Sequence, residues 1–255
     1  MKLATWNVNS LKVRLEQLLD WMAAGAPDVI CLQETKLDDP KFPVAEIEGA
    51  GYRVVFSGQK TYNGVAIASR VPATDVVRAI PGFADEQKRV IAATVGNVRV
   101  VNAYVPNGQS VDSDKFHYKL DWLSAFTGWL GEEMSKHSGI VVLGDFNIAP
   151  EARDVHDPKA WEGKVLFSQP EREKFAALIE LGFVDSFRLF DQAEMSFTWW
   201  DYRLNAFKRG MGLRIDHILL SATLAQRCRG VSIIKEMRGL ERPSDHAPVV
   251  ADIAD

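Results

Sequence analysis

The strongest constraint on the fold is an apolar run that ends in a carboxylate and an amide. Residues 140–150 read IVVLGDFNIAP, so Asp145 and Asn147 sit on either side of an aromatic residue, directly after Gly144. The apolar run predicts a buried strand, and alternate residues of a strand face the same side. We therefore expect Asp145 and Asn147 to point the same way. A buried carboxylate is costly unless it is paired, hydrogen-bonded or metal-bound.

Helical and strand-like segments alternate loosely along the 255 residues. Helices are predicted from an N-cap at Ser10 to Ala24, from about Lys115 to Lys136, and from a capping box at Ser168 and Glu171 to Leu181. Short β-branched runs between turns are typical of a mostly antiparallel sheet. These strand candidates are KLATWNV, VICLQE, YRVVFSG, GVAIASR, RVIAATVG, VRVVNAYVP, IVVLGD, SFTWWD, LRIDHILLS, VSIIKEMR and HAPVVADI.

The chain shows no Pro/Gly/Ser-rich linker, low-complexity tract or fixed-period repeat. This favours one domain over residues 1–255. Mixed strands with helices outside predict an α/β fold of four layers, in which two packed, mixed and mostly antiparallel β-sheets are flanked by helices. The composition, 47% hydrophobic and 25% charged, is that of an ordinary globular protein with a core of good size.

Cysteine content and hydropathy exclude several classes of protein. Cys31 and Cys228 form no C-x-x-C pair, which argues against a disulfide scaffold or a thiolate zinc site and suits a reducing cytoplasm. The start, MKLATWNVNS, is too polar for a signal peptide, and no apolar stretch is long enough to span a membrane. We expect a cytoplasmic monomer with no membrane partner.

Six predicted strand ends carry acids, amides or histidines, which argues that they converge on one site. They are Asn7 and Asn9; Gln33 and Glu34; Tyr104 and Asn107; Asp145 and Asn147; Asp216 and His217; and Ser244, Asp245 and His246. Oxygen donors with one or two histidines and no thiolate suit Mg²⁺ or Mn²⁺. A carboxylate such as Asp145 can deprotonate a water while a metal and a histidine stabilise phosphoryl charge. The pattern therefore predicts phosphoester hydrolysis.

Seven motifs in order carry a family resemblance: WNVNSL, LQETK, NGVAI, NAYVPNG, LGDFNIAP, GLRIDHIL and PSDHAPV. Each is weak alone, but together, from Met1 to Ile253, they resemble the exonuclease III family of abasic-site DNA endonucleases. That family lies within the endonuclease/exonuclease/phosphatase superfamily, which includes DNase I. The resemblance implies a DNase I-like fold and a Mg²⁺-dependent DNA-repair nuclease in which Mn²⁺ substitutes. It implies cleavage 5′ to abasic sites, and 3′→5′ exonuclease and 3′-phosphatase activity on duplex DNA.

The resemblance also implies roles for matched residues. Glu34 would be the chief metal ligand, and Asp145 would activate the attacking water. His246 would contact the scissile phosphate with its tautomer fixed by Asp216, and Tyr104 would hydrogen-bond the phosphate or help the leaving group. The implied catalytic set is Tyr104, Asp145, Asn147, Asp216 and His246. The implied metal set is Asn7, Glu34, Asp145, Asn147, Asp245 and His246.

A basic and aromatic segment, TWWDYRLNAFKRGMGLRID, is a candidate DNA contact. Between Asp201 and Arg214 it holds four basic residues and one acid, a local charge of +3. Cations neutralise phosphates, and aromatic faces hold an extrahelical sugar or base. The resemblance places Trp199, Leu213 and Ile215 in an apolar pocket for a sugar without a base. The candidate DNA-binding residues are Asn9, Lys12, Arg14, Lys60, Asn107, Trp199, Arg203, Lys208, Arg209, Leu213 and Ile215.

Charge gives a mixed signal about DNA. A net charge of −4 by itself argues against a nucleic-acid partner. The local basic segment makes DNA binding compatible with it, because much of the acid excess would be neutralised by metal or lie on the far side. Relatives often carry aspartate where this chain has Asn9, so Asn9 is given a supporting role.

Several of these residues also have purely structural explanations. Asn9 could cap the helix that begins near Leu11, and Asp145 and Asn147 could be turn formers. The basic segment could be a solvated loop, and His217, on the opposite face from Asp216, is expected to be structural.

The segment WEGKVLFSQPE, residues 161–171, holds two apolar residues whose task the sequence leaves open. Leu166 and Phe167 could wedge against DNA or pack the helix that follows. Two rival functions also remain: a phosphatase or lipid phosphodiesterase of the same superfamily, and a catalytically silent DNA-binding module.

Overall fold

In the computed structural model, which describes residues 1–25 and 27–254, two six-stranded sheets pack face to face. The first sheet has the order β13-β14-β1-β2-β4-β3 and the second β5-β6-β7-β8-β12-β9, while β10 and β11 form a separate pair. The strands are β1 (Lys2–Asn7), β2 (Val29–Gln33), β3 (Arg53–Ser57), β4 (Val65–Ser69), β5 (Ala73–Val77), β6 (Val90–Val95), β7 (Val98–Tyr104), β8 (Ile140–Asp145), β9 (Val184–Asp185), β10 (Trp199–Trp200), β11 (Gly212–Leu213), β12 (Asp216–Leu220), β13 (Cys228–Ile233) and β14 (Val249–Ile253).

Helices cover the outer face of each sheet. The helices of the described residues are α1 (Leu11–Ala23), α2 (Val44–Gly49), α3 (Asp114–Lys136), α4 (Pro158–Trp161), α5 (Gln169–Glu180) and α6 (Ala222–Ala225), of which α1, α2, α3 and α5 form these outer layers. The α1 and α2 helices pack on the first sheet in a cluster that includes Trp6 and Leu18. The α3 and α5 helices pack on the second in a cluster that includes Phe126 and Phe175. The four layers confirm the predicted fold class.

A third apolar cluster fills the space between the sheets. Cys31 and Leu3 from the first sheet meet Val100, Leu143 and Ile218 from the second, and all five are fully or almost fully buried. Strands that are covered on both faces read as continuous apolar runs rather than alternating ones. This is why IVVL and VICL have no polar face. Burial also raises the pKa of the Cys31 thiol well above its ordinary range, as expected for a plain core cysteine.

Two parallel strand pairs bring the polar ends together. The β1 strand runs parallel to β2, and β7 runs parallel to β8, whereas the other pairings among the described residues are antiparallel. Parallel neighbours end at the same edge of a sheet. Asn7 is therefore in register with Gln33 and close to Glu34, the residue that follows it. On the second sheet, Asp145 is in register with Tyr104 on one side and Asp216 on the other.

Gly144 permits the close approach of β7 and β8 next to this edge. A Cβ atom at Gly144 would lie 1.9 Å from the carbonyl oxygen of Ala103, a backbone atom that cannot move aside. Any larger residue would therefore force apart the two strands that carry Tyr104 and Asp145. The glycine that precedes Asp145 in the sequence is a steric requirement of the site's geometry.

Most predicted elements are present, with informative shifts. The capping box of Ser168 and Glu171 is confirmed. Ser10 occupies the N-cap of α1 but its side chain makes no capping bond, and α3 begins one residue early because Ser113 caps it. The run LRIDHILLS is divided into β11 and β12, and SFTWWD yields only the two-residue β10. The β5 and β9 strands were not predicted. Among the described residues, no helix is long and apolar enough to cross a membrane.

Candidate active site

One amide group joins carboxylates from both sheets. The Asn7 side chain, at the end of β1, donates from Nδ2 to Glu34 Oε1 at 2.9 Å and to Asp145 Oδ2 at 2.8 Å. Glu34 follows β2 of the first sheet, whereas Asp145 ends β8 of the second. The amide oxygen of Asn7 accepts from the backbone N–H of Asn9 at 2.9 Å, which fixes the orientation of the amide. The site is therefore built across the gap between the sheets.

A histidine and an aspartate form a second hydrogen-bonded pair next to Asp145. His246 donates from Nδ1 to Asp216 Oδ2 at 2.9 Å, and its Nε2 lies 3.7 Å from Asp145 Oδ2. Ser244 holds this segment in place, because its hydroxyl donates to the Asn7 carbonyl and accepts from the His246 N–H. The ring is thus oriented by Asp216 and presents its other nitrogen to the carboxylate.

Asn147 lies close to Asp145 through a turn and not through strand alternation. The β8 strand ends at Asp145, and Asn147 has a left-handed backbone with φ 50°. Its backbone N–H donates to Asp145 Oδ1 at 2.9 Å, so the turn-forming explanation is correct for the local backbone. The Asn147 side chain donates to the Val105 carbonyl and accepts from Asn107 Nδ2 at 3.1 Å. The predicted proximity is right, but alternation along a strand is the wrong reason for it.

Glu34 is held in a conformation that non-glycine residues seldom adopt. Its φ is 51°, in the left-handed region, and the next residue but one, Lys36, has φ 54°. Lys36 Nζ lies 2.8 Å from Glu34 Oε2 and donates to Asn9 Oδ1 at 2.5 Å. Strained residues of this kind cluster at functional sites. Lys36 lies in the LQETK motif but was given no role, although its charge two residues after Glu34 was the available signal.

The site's electrostatics keep His246 protonated near neutral pH and raise the pKa of Asp145 toward neutrality. Burial raises the pKa of Asp145 to about 7, against the opposing pull of His246. Burial works to lower the pKa of His246, but Asp216 and Asp145 overcome it and raise the pKa to about 10. A base whose pKa lies near the working pH is well matched to proton abstraction. A protonated His246 is a strong donor toward a phosphate oxygen.

Tyr104 lies at the same strand edge as Asp145. Burial raises the pKa of its hydroxyl well above the ordinary value, and the carboxylates of Glu34 and Asp145 raise it further. The Arg89 guanidinium lies 4.7 Å from the centre of the Tyr104 ring. Tyr104 is therefore a neutral hydrogen-bond donor at any working pH and not a base.

The donor set fits a hard divalent cation. Ligand atoms of Asp145, Asp216 and His246 all lie within 4.8 Å of one another. Within the described residues the buried Asp216 Oδ1 has no hydrogen-bond partner, which leaves this carboxylate oxygen available to a ligand. Because His246 Nδ1 is engaged by Asp216, the carboxylates are the freer donors, and Glu34 lies beside them. Burial raises the pKa of Glu34, but Lys36 and Asn7 outweigh it and lower the pKa, which keeps the carboxylate ionised. Carboxylate oxygens suit Mg²⁺ or Mn²⁺.

Asp245 links the acid cluster to an aromatic wall. Its Oδ1 accepts from Asn9 Nδ2 at 2.9 Å and its Oδ2 accepts from Trp199 Nε1 at 3.0 Å. The Asn9 side chain therefore serves the site and not the α1 N-terminus. Trp199 also forms an isolated antiparallel bridge with His246. The backbones of Trp199 and His246 are thus direct neighbours.

Trp199, Leu213 and Ile215, which the resemblance places in an apolar pocket, lie in one packed apolar cluster. Trp199 pairs with Leu213 across β10 and β11, and both pack with Ile215. Leu213 and Ile215 are 0% and 1% exposed, so they support Trp199 from beneath. Leu166 and Phe167, 5% and 1% exposed, belong to the same cluster, which favours packing over wedging for the 161–171 segment.

A mainly apolar cavity of about 590 Å³ opens beside Trp199. Its other lining residues are His156, Trp161, Asp201, Arg203, Leu204, Ala206 and Met211.

The candidate phosphate-binding side chains differ in exposure and in whether they already have a partner. Lys12, Lys60, Lys208 and Arg209 are exposed, as is Asn107. Arg203 is paired with Asp201 at 2.8 Å, and Arg14 is largely buried, where it donates to Asn9 O, Pro243 O and Tyr202 Oη. Of the four cations counted between residues 201 and 214, only Lys208 and Arg209 have no carboxylate partner within the described part of the chain. The positive patch is smaller than the sequence count indicated.

Arg214 is the centre of a buried ion network behind the pocket. It is 1% exposed and donates to Asp154 Oδ1 at 2.6 Å and to Asp185 Oδ2 at 2.8 Å. His217 contacts Arg214 through Nδ1 and the Ile148 carbonyl through Nε2, which confirms its predicted structural role. Arg214 N also donates to the Asp154 carbonyl. The network fixes the short connection between β11 and β12.

Comparisons with known proteins agree with this geometry. Residues 4–246 match the model of the Endonuclease/Exonuclease/phosphatase family. The chain is 38% identical to "Exodeoxyribonuclease III" of Haemophilus influenzae, with 99% of each chain covered. It is 32% identical to "DNA repair nuclease APEX1" of Danio rerio, with 100% of this chain and 82% of that protein covered.

Solved structures give the same answer. The 3′ phosphatase NExo from Neisseria, bound to a product DNA hairpin, is 49% identical, with a TM-score of 0.99 and full coverage of both chains. An AP endonuclease from Archaeoglobus fulgidus is 40% identical, with a TM-score of 0.96 over 99% of each chain.

The Arg214 network makes stability depend on pH in a defined way. Burial raises the pKa values of Asp154 and Asp185, but Arg214 outweighs it and lowers both below the ordinary value of 3.8. Their contribution is therefore present above that value and is lost as pH falls through the lower, folded-state pKa. Asp154→Asn should cost roughly 3 kcal/mol of unfolding free energy at pH 7, because it removes one partner of a buried charge.

Urea unfolding of wild type and Asp154→Asn between pH 7 and pH 3 measures this. The difference in unfolding free energy between the two proteins should stay constant down to about pH 4.5 and shrink below it. Asp191→Asn, at an exposed position, serves as the control and should match wild type throughout. A difference that stays constant down to pH 3 would contradict the linkage.

Proposed function

The chain belongs to the endonuclease/exonuclease/phosphatase family, and on that premise we propose how its site cleaves DNA. It is a DNA-repair nuclease of the exodeoxyribonuclease III type, a hydrolase of phosphodiester bonds. The proposed reactions are cleavage 5′ to an abasic site, which leaves a 3′-hydroxyl, and removal of nucleotides or phosphate from 3′ ends of duplex DNA. The observation that carries the proposal is the buried Asp145, flanked by Asn7, Asn147 and His246.

A Mg²⁺ ion, or Mn²⁺ in its place, is the proposed cofactor. Glu34 would hold it, with Asn7, Asp145 and Asp245 beside it, because these residues form the oxygen-rich side of the site. Asn147 and His246 stay candidates for weaker contacts. When bound, the cation supplies positive charge that stabilises the phosphoryl oxygens.

Asp145 is the proposed general base. Its carboxylate accepts the proton of the attacking water, and its Oδ1 is aimed by the Asn147 backbone N–H. The Asn147 side chain holds the water or a phosphate oxygen. Because Asp145 is 1% exposed, the carboxylate is poorly hydrated and its basicity is raised.

His246 is the proposed contact with the scissile phosphate. Asp216 orients the ring by accepting from Nδ1, and because the pKa of His246 is raised to about 10, Nε2 is protonated as well and can donate to the substrate. The neutral Tyr104 hydroxyl donates a hydrogen bond to the phosphate or to the leaving oxygen. The site therefore pairs one base with two donors, as in-line displacement at phosphorus requires.

Selectivity for a damaged site is proposed to come from the aromatic wall. Trp199 borders His246 directly and rests on Leu213 and Ile215, so an extruded sugar without its base would lie against an apolar surface. An intact nucleotide costs more to extrude. The exposed Lys12, Lys60, Lys208 and Arg209 would contact backbone phosphates.

A groove of about 740 Å³ continues past Asn107 and is lined by Arg89 and Lys115.

A cytoplasmic location and a monomeric state complete the proposal. The choice between endonuclease and 3′-end activities is assigned to the 161–171 segment, because it packs under the pocket.

Asp145→Asn tests the base. The amide keeps the shape but takes up no proton, so kcat on an abasic duplex should fall by roughly 10²–10⁴-fold. Binding of the same duplex, measured by fluorescence anisotropy in Ca²⁺, should change little. Asp121→Asn on the exposed face of α3 controls for loss of one charge. Near-normal turnover by Asp145→Asn would remove Asp145 from this role.

A substrate panel tests the function itself. Wild type is assayed in Mg²⁺ and in EDTA on an abasic duplex, a 3′-phosphate nick, an undamaged recessed 3′ end and a phosphoinositide. We expect metal-dependent turnover of the DNA substrates and none of the lipid. Turnover of the phosphoinositide alone would support a lipid phosphodiesterase instead, and tight abasic-DNA binding without cleavage would support a silent binding module.

A further inference from the structure

Lys119 is a fully buried cation that contacts two loops of the active site. It lies on α3, is 0% exposed, and donates from Nζ to the backbone carbonyl of Asn147 at 2.7 Å and to that of Asn107 at 3.2 Å. These loops follow β7 and β8, whose ends carry Tyr104 and Asp145. A buried ammonium is costly, so its placement under these two carbonyls needs an explanation.

Glu171 balances this charge and connects a third loop. Its Oε1 lies 2.5 Å from Lys119 Nζ and also accepts from the Leu166 N–H, while its Oε2 accepts from the backbone and hydroxyl of Ser168. The Leu166 carbonyl accepts in turn from the Ala149 N–H. Three loops, 105–109, 145–149 and 164–168, therefore meet at one buried ion pair.

We propose that Lys119 is a positioning residue that aims Asn147 at the reacting phosphate, an inference that rests on the proposed function. Asn147 is bonded on three sides: its N–H to Asp145, its side chain to Val105 and Asn107, and its carbonyl to Lys119. The left-handed backbone of Asn147 persists only where its surroundings hold it. Of these four contacts, only the one from Lys119 comes from α3. The others come from the end of β8 and from the loop after β7.

Stability alone does not account for this ion pair. A buried pair is often no more stabilising than apolar residues of the same volume. What an apolar residue cannot do is bind two carbonyl oxygens from different loops. The geometry therefore assigns Lys119 a task in holding the loops in register, and displacements of about 1 Å at a catalytic group can cost about 10²-fold in rate.

The same helix supplies a matched control. Glu133 of α3 pairs with Arg99 of β7 at 2.7 Å, and both side chains are almost fully buried, 6% and 3% exposed. Arg99 also donates to the Asp75 carbonyl. It is a buried cation paired with a carboxylate and a backbone carbonyl, but at the start of β7, away from the strand ends that form the site. Arg99→Met thus removes a comparable pair without touching the catalytic loops.

The test compares Lys119→Met with Arg99→Met on an abasic duplex in Mg²⁺, at a temperature where circular dichroism shows both variants folded. Lys119→Met should lower kcat about 10–100-fold with KM nearly unchanged. Arg99→Met should keep kcat within about twofold while losing thermal stability. Lys119→Met/Glu171→Gln removes both charges, keeps an acceptor for Leu166 and Ser168, and is used if the single variant does not fold.

A double-mutant cycle with Asn147→Ala shows whether Lys119 acts through Asn147. In that background, Lys119→Met should change kcat by less than about threefold, because the group it aims is gone. Equal losses of kcat in both backgrounds would overturn the proposal, as would a normal kcat in folded Lys119→Met or a kcat loss in Arg99→Met of the same size. Wild type without nuclease activity would instead refute the proposed function.

Discussion

The amide group of Asn7 is the interaction on which the site depends. It donates to Glu34 from the first sheet and to Asp145 from the second, so a single side chain holds two carboxylates of separate layers within reach of one ligand. Parallel pairing of β1 with β2 and of β7 with β8 delivers these groups to a common edge. The strand pairing thus produces the site's geometry directly, with few intervening loop residues.

Buried amides continue this connection into the core. Asn102 of β7 donates to the Leu32 and Ala66 carbonyls of the opposite sheet and accepts from Gln33 Nε2. Asn102 thereby satisfies both its amide N–H bonds and its oxygen, and such directional bonds fix two apolar surfaces in one register, whereas hydrophobic contacts do not. The hydrogen bond between His246 and Asp216 continues this polar connection toward the site, so the acid cluster is held in place before any substrate binds. That rigidity is what electrostatic stabilisation of a transition state requires.

Much of this was predictable from the sequence, for reasons that are physical. Strand candidates flanked by acids, amides or histidines predicted both the central strands and the clustering of Asn7, Glu34, Asp145 and His246. Alternation gave the wrong reason for the Asp145–Asn147 proximity, because a left-handed turn after β8 is invisible to a period-two pattern. The local charge of +3 counted between Asp201 and Arg214 overstated the positive patch, because such a count ignores partners that are distant in the sequence. Arg214 is neutralised by Asp154 and Asp185, which lie 60 and 29 residues away.

A long-range ion pair also hid the role of Lys119, whose partner Glu171 lies 52 residues away. A lysine on a helix with mixed faces is usually a solvated side chain, and helical spacing does not reveal that Lys119 lies under two loops. Ser244 was noticed as part of PSDHAP, but its bond to the Asn7 carbonyl spans 237 residues. What the sequence could not supply was the partner of each polar group, and those partners decide whether a charge is structural, catalytic or free.

The central claim is that the two sheets together present a cation site whose main ligand is Glu34. Isothermal titration of Mn²⁺ into the protein without DNA tests it most directly, with Glu34→Gln compared with wild type. Glu180→Gln, at an exposed position on α5, is the matched control. The account predicts saturable binding by wild type and by Glu180→Gln, and affinity at least about tenfold weaker for Glu34→Gln. Equal Mn²⁺ affinity in all three proteins would contradict it.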